Sequence, residues 1–365
     1  MTPGSFRVLP SSCLGIDIGT SALKVMELSR WGKRLSVKNY GEMQAGSLYD
    51  RPFRTAEKNS LSLSSKDLAR ALQGIIEEAK MQTRRAVFSI PDFSSFFAHF
   101  ELPPMADEEI PQAVQYEARK FVPIPFSEVT FDWQIINNRK GVRKNDPAKI
   151  LLVAVPNEVI NQYREIAELA KLRLLTLEAE VFCVIRSCAR EAKGSVILLD
   201  MGVQTTTINV VTDGILRNSR SVDLGGGSFA ERVSQSFSID RKRAEEQKNL
   251  KGLADPQIFQ ILAPLLDEVV ADIRRVEEGF RSEGPVVNRA EVNGEHQKKI
   301  GKILLAGGSA LLPGLAPYLK DALGIETQIA DPFREIFYLP ALESRIKSMG
   351  PAWAVSAGAA LRGLE

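Results

Sequence analysis

The residues best suited to chemistry in this chain are two aspartates, each closing a β-branched run and each followed two positions later by glycine. Leu14-Gly-Ile-Asp-Ile-Gly-Thr-Ser-Ala-Leu-Lys-Val-Met-Glu-Leu28 reads as a strand, a D-x-G turn with small hydroxyl residues, and a returning strand. Ile197-Leu-Leu-Asp-Met-Gly-Val-Gln-Thr-Thr-Thr-Ile-Asn-Val-Val211 repeats that design. A glycine lets turn backbone approach an anion closely, so Gly19 and Gly202 fit a phosphate clasp, with Thr20, Ser21, Thr205 and Thr206 adding hydroxyl donors. An aspartate repels phosphate but holds the waters of a magnesium ion that bridges phosphates, which makes Asp17 and Asp200 the metal residues of the pair. Lys24, seven residues beyond Asp17, brings positive charge to the phosphates. One such turn is an ordinary hairpin, whereas two in register are what an internal duplication leaves behind.

Two more glycine clusters suit the rest of a nucleotide. In Ile303-Leu-Leu-Ala-Gly-Gly-Ser309 the pair Gly307 and Gly308 offers a flat backbone shelf for adenine or ribose, with Ser309 at the start of a helix. Asp223-Leu-Gly-Gly-Gly-Ser228 ends a strand and opens another helix, placing Gly226 and Gly227 at the turn. Glu245 and Lys248, one helical turn apart, suit ribose hydroxyls and the base, or else form a solvated ion pair.

Composition narrows the alternatives. Lys and Arg number 47 against 45 Asp and Glu, a net charge of +2 that gives no electrostatic case for nucleic acid or for general membrane adhesion. Cys13, Cys183 and Cys188 have neither disulfide nor zinc spacing and read as buried thiols of a reducing cytoplasm. With His99 and His296 as the only histidines, a histidine-bound metal and a Ser-His-Asp triad are disfavoured. No apolar run reaches the length of a membrane span, and the N-terminus lacks a signal-peptide core.

The elements that must position these residues form an α/β chain of 365 residues, too long for one core. Strands over Ala86–Ile90 and Phe96–Leu102, a helix over Asp107–Phe121, strands over Val129–Asn137 and Lys149–Val155, and a helix from Asn157 predict a compact α+β module, with Pro123 and Pro125 stopping its first helix. Gly46–Lys66 reads as an exposed connection, Asp67–Lys80 as a helix, and Arg139–Lys149 and Arg281–Lys302 as charged loops. Trp353–Arg362 is an apolar helix of small residues, suited to packing beside the second phosphate turn.

The order of phosphate hairpin, second phosphate hairpin, Gly-Gly-Gly turn, Ala244-Glu-Glu-Gln-Lys248 and Ala306-Gly-Gly-Ser309 resembles the actin, sugar-kinase and heat-shock ATPase superfamily over the whole chain. The stretch Glu117-Ala-Arg-Lys-Phe-Val-Pro-Ile-Pro-Phe-Ser-Glu-Val-Thr-Phe-Asp132 is similar to the PilM family of type IV pilus assembly proteins, relatives of the division protein FtsA. That resemblance implies an actin-like ATPase fold with cofactors ATP or ADP and Mg2+. Residues 1–84 and 173–193 would be a first RNase H-like subdomain and 85–172 an inserted FtsA-type module. Residues 194–235 and 303–365 would form the second such subdomain, with 236–302 a helical subdomain over the nucleotide. It also implies a water-positioning acid at the start of the connecting helix, Glu178 with Glu180 as second choice, and slow hydrolysis at best.

The resemblance further implies a cytoplasmic adaptor, held at the inner membrane by the N-terminal cytoplasmic peptide of a PilN-type protein. Ile110, Val114 and Phe121 of the module are the expected peptide contacts, beside sheet edges able to pair with an extended chain. Pilus motor ATPases are further candidate partners, self-association stays open, and neither nucleic acid nor direct membrane insertion is expected. An FtsA-like filament former shares nearly every nucleotide motif but carries a terminal amphipathic helix that this sequence lacks. A small-molecule kinase on the same core would need a substrate-binding aspartate and a roomy acceptor cleft.

Overall fold

In the computed structural model, residues 12–45, 52–55, 60–136, 147–282 and 299–365 are described. The chain opens with an antiparallel triplet, β1 (Ser12–Ile18), β2 (Ala22–Trp31) and β3 (Arg34–Gln44), followed by a short ribbon of β4 (Arg54–Thr55) and β5 (Ser60–Leu61). Helix α1 (Ser65–Glu78), whose Ser64 side chain caps the Asp67 amide, then crosses to β6 (Arg85–Ile90). The inserted module is β7 (Phe96–Leu102), α2 (Ile110–Ala118), β8 (Val129–Ile135) and β9 (Ala148–Pro156), and α3 (Asn157–Leu169), β10 (Arg173–Ala179) and α4 (Glu180–Val184) follow it. The second half repeats the plan with β11 (Ser195–Met201), β12 (Thr206–Thr212) and β13 (Ile215–Val222), then helices α5 (Gly226–Phe237), α6 (Arg241–Lys251) and α7 (Pro256–Ser282). Next come β14 (Ile300–Ala306), α8 (Leu315–Leu323) and β15 (Glu326–Ile329), and the chain closes with β16 (Ile336–Phe337), α9 (Glu343–Met349) and α10 (Ala354–Arg362).

The duplication read from the two D-x-G turns extends to both sheets. The first runs β10-β6-β1-β2-β3-β16 and the second β13-β12-β11-β14-β15, each an antiparallel triplet continued by parallel strands on the β1 or β11 side. Alternation along β11 fixes its two faces: Ile197 and Leu199 pack outward under α7, while Val196 and Leu198 join a cluster with Cys183, Val184, Trp353 and Ala357. In β1 the outward residues Leu14, Ile16 and Ile18 lie under α1 and α3, and the inward side shows Cys13 and Gly15. The two inner faces therefore share one apolar layer built from α4 and α10.

Four expectations need correction. Strand β6 and helix α3, placed in the module by sequence, belong to the first half: β6 pairs with β1 and β10, and Tyr163 and Ile166 of α3 join its core. The module proper is the three-stranded sheet β7-β9-β8 with α2 on it. The expected helical subdomain also divides, since α7 lies on the second sheet through Leu262, Leu266, Val269 and Ile273. Finally, the chain after β15 returns to the first half: β16 pairs with β3, and α10 packs on β1 and α4 rather than beside the second phosphate turn. The reason is closeness. A Cβ on Gly15 would lie 1.9 Å from the Ser356 carbonyl, and one on Gly358 would lie 1.9 Å from that of Cys183. Parts of the loops expected at Gly46–Lys66, Arg139–Lys149 and Arg281–Lys302 lie outside the described residues, while α7 runs on to Ser282 and β14 begins at Ile300.

Candidate functional site

The two turns close in the same way. The Gly19 amide donates to the Ala22 carbonyl at 2.9 Å, and the Gly202 amide donates to that of Thr205 at 2.9 Å. A Cβ on Gly19 would sit 2.8 Å from the Ala22 oxygen, so the tight return requires glycine there. Ladder register then sets three charged residues in a row across the first sheet, Asp17 opposite Lys24 and Lys24 opposite Glu42. They share the inner face with Gly15 and Met26, and Asp17 is buried there. Asp200 holds the matching place on the inner face of β11, but its partner seven residues on is Thr207. The duplication thus keeps both aspartates and only one lysine.

Three glycine motifs of the second half converge on its turn. The amides of Gly226 and Gly227, opening α5, donate to the carbonyls of Gly202 at 2.9 Å and Val203 at 2.7 Å, and the Ser309 hydroxyl donates to Gly202 at 3.0 Å. Cβ atoms here would collide, 2.2 Å from Ser309 Oγ for Gly226 and 2.5 Å from Asp200 Oδ1 for Gly307, the latter at φ +84°. The Gly307 amide donates to Pro351, just ahead of α10. Lys248, buried in α6, donates to the Gly226 carbonyl at 3.2 Å and pairs with Glu245 at 3.3 Å. Burial lowers its pKa, and the Glu245 carboxylate opposes that shift. The ion pair therefore forms, with Lys248 buried rather than solvated, and both residues lie in the lining of the cleft between the halves.

Between the halves lies a cleft of about 300 Å³, and Ser21, Lys24, Gly226, Glu245, Lys248, Gly308 and Ser309 all line it. Asp17, Gly19 and Thr20 stand in or beside the first turn, and Asp200, Gly202, Thr205, Gly227 and Gly307 around the second, without lining that cleft. Thr206 is misassigned: its side chain is fully buried and its hydroxyl donates to the Leu224 carbonyl at 2.6 Å. Glu178 is likewise corrected. It lies in β10 rather than at a helix start, both its oxygens accept from the Arg186 guanidinium, and the cleft does not include it. Glu180 is the first residue of α4.

Sequence reasoning missed Glu42, Gln44, Asn249, Arg345, Ser348 and Trp353 of the lining. Extending the β1–β2 register to β3 would have found Glu42 and Gln44, which alternate opposite Lys24 and Ala22. Arg345 sits on a short helix with no local motif, and only the tertiary return of the chain brings it to the cleft.

A magnesium nucleotide fits this donor set. Lys24, Lys248 and Arg345 supply cationic charge, and Gly226 and Gly308 contribute bare backbone to the wall, the former packed too closely on Ser309 to carry a side chain. Among the described residues there is no group of three His, Cys, Asp or Glu that could hold a metal ion. A magnesium ion carried by a nucleotide would have Asp17 and Asp200 as the carboxylates of the two turns, one at each.

Of the module residues expected to touch a peptide, Ile110 and Val114 are buried against its own sheet with Ala118, because that face of α2 meets Leu102, Ile150 and Leu152. They are not available to a partner. Phe121, 42% exposed, stacks on Phe100 with ring centroids 5.2 Å apart, and Tyr116 is 68% exposed.

Two sheets of one topology, joined through a helical layer and facing each other across a glycine-lined cleft, define the actin-like ATPase class of folds. The sequence profile of the family described as type IV pilus assembly protein PilM matches residues 15–364, and the chain belongs to that family. A solved PilM–PilN type IV pilus biogenesis complex is similar at 25% identity and TM-score 0.80, covering 97% of this chain and 98% of that one. MreB5 of Spiroplasma citri bound to ADP shares the fold at 14% identity and TM-score 0.54, over 95% of this chain and 94% of that one. Cell division protein FtsA of Streptococcus pneumoniae serotype 2 (strain D39 / NCTC 7466) is 21% identical over 356 residues, 87% of this chain and 75% of that protein. The chain is thus an actin-like protein of pilus assembly. Among the described residues no helix is long and apolar enough to cross a membrane.

Proposed function

We propose that this protein is an ATP-binding adaptor of a type IV pilus inner-membrane platform, cytoplasmic and held at the membrane by the N-terminal peptide of a PilN-type protein. The whole-length likeness to a PilM–PilN complex carries the reading. When bound, the nucleotide supplies a polyanionic chain with its magnesium ion. Lys24 would neutralise phosphate charge, Asp17 and Asp200 would hold magnesium-bound water, and Glu245 with Lys248 would orient the ribose and base. With Glu178 engaged by Arg186, the chain's residues favour binding over turnover. The nucleotide then serves chiefly to set the angle between the halves.

For the peptide, the exposed aromatics of the module replace the buried aliphatics as contacts: Phe121 is kept and Tyr116 added, beside the edge strands β7 and β8. Calorimetry with a synthetic N-terminal peptide of a PilN-type protein tests this. Binding is expected, with loss of at least about tenfold in Phe121→Glu and unchanged Mg-ATP affinity. Undiminished peptide binding after removal of residues 91–156, in a core that still binds ATP, overturns it.

A further inference from the structure

The end of the first sheet remote from the cleft carries a side-chain cluster that neither nucleotide nor peptide uses. β2 and β3 are joined by Gly32-Lys33, with Gly32 at φ +59°, so that Trp31 and Arg34 face each other across the ladder. Glycine at the first central position suits the tight turns that match strand twist. From Leu28 to Gly41 the hairpin carries four basic residues, Arg30, Lys33, Arg34 and Lys38, and no acidic one, in a chain whose overall charge is only +2.

Register shows which of these face outward. Leu35 and Ile336, paired between β3 and β16, pack on the inner apolar layer, and Arg30 points the same way, donating to the Leu364 carbonyl at 2.7 Å. The outer face therefore presents Trp31, Arg34 and Phe337, with Ser29 and Ser36 hydroxyls 2.9 Å apart between them. Helix α1 crosses this face higher up, where Ile75 meets Gly41. Trp31 is 89% exposed, Phe337 is 43% exposed beneath the Arg34 guanidinium at 3.7 Å, and Leu339 is 61% exposed. Glu335, two residues from Phe337, shares a hydrogen bond with Glu191, and burial and that second carboxylate raise its pKa, with Arg190 and Arg334 as the opposing cationic neighbours.

We infer that this hairpin end is a contact for an anionic lipid bilayer. An indole has an apolar body and one polar N–H, the combination favoured at the headgroup level, and Lys33 and Arg34 complement negative headgroups. A peptide strand is the poorer occupant, because the edge strand β16 is two residues long and cannot template one. Each basic side chain near an anionic surface strengthens binding about fivefold. Such a contact gives the free chain a measurable partition onto an anionic bilayer, which a membrane partner strengthens by raising its local concentration.

Sedimentation of the full chain with vesicles of phosphatidylglycerol and phosphatidylcholine tests the inference without any partner. The parent is expected to sediment with the anionic vesicles and not with pure phosphatidylcholine, and Trp31→Ala and Lys33→Glu each to lower the partition coefficient about fivefold or more, with unchanged far-ultraviolet dichroism. Brominated lipid should quench parent fluorescence and spare Trp31→Phe, which retains only Trp133 and Trp353. Failure of the parent to bind anionic vesicles, or equal binding by Trp31→Ala, overturns the proposal.

Discussion

Lys24 stands between two carboxylates across the ladder, Asp17 on β1 and Glu42 on β3, and lines the cleft. Removing a charged donor from phosphate costs about 1.5–3 kcal/mol, so Lys24→Ala should weaken Mg-ATP by roughly 10- to 100-fold in a calorimetric titration without lowering thermal stability of the free protein. The thiols give a second prediction. Burial pushes Cys13 and Cys188 up to about 12 from the usual 9.0, and Cys183 is raised as well. Native protein at pH 8 should resist iodoacetamide at all three positions, read by mass spectrometry, and react fully in guanidinium. The folded thiols keep their protons to higher pH than the unfolded ones. Their effect on stability is therefore absent below pH 9 and becomes a progressive loss as pH rises from 9 towards 12. At this scale the sequence was legible where glycine and aspartate mark a turn, because backbone approach restricts residue type. It misled at Thr206 and Glu178, whose side chains are committed to Leu224 and Arg186, partners that only tertiary structure supplies.

Helix α10 is held by contacts that leave no room for side chains. The methyl of Gly15→Ala would meet the Ser356 carbonyl at 1.9 Å. Relieving that overlap requires the helix to shift, at a cost of about 3 kcal/mol, visible as a lower urea midpoint. The small residues of this helix announced close packing, but its partner was misread, since nothing local distinguishes the first sheet from the second. A parallel test separates the buried face of α2 from the turn that follows it. Val114→Glu places a charge in the module core and should unfold it, whereas Phe121→Glu should leave limited proteolysis of the module unchanged. Periodicity located this helix, expected over Asp107–Phe121 and formed over Ile110–Ala118, but not its buried stripe, because Ile110, Val114 and Phe121 all look apolar until the sheet beneath Ile110 and Val114 is known and Phe121 is seen to lie in the turn beyond.

The shared layer of α4 and α10 joins the two halves of the molecule as two leaves, with the cleft lined by β2 and β3 of the first and by α5, α6 and the Gly308–Ser309 turn of the second. The paired motifs made this duplication legible in the sequence. The return of β16 to β3 was not, for a two-residue edge strand has no pattern of its own. The central claim is that both leaves bind one magnesium nucleotide, and the most direct measurement is thermal stabilisation by Mg-ATP of the parent, Asp17→Ala and Asp200→Ala, one variant for each leaf. The account predicts that stabilisation shrinks in both variants, while equal stabilisation of parent and both variants would contradict it.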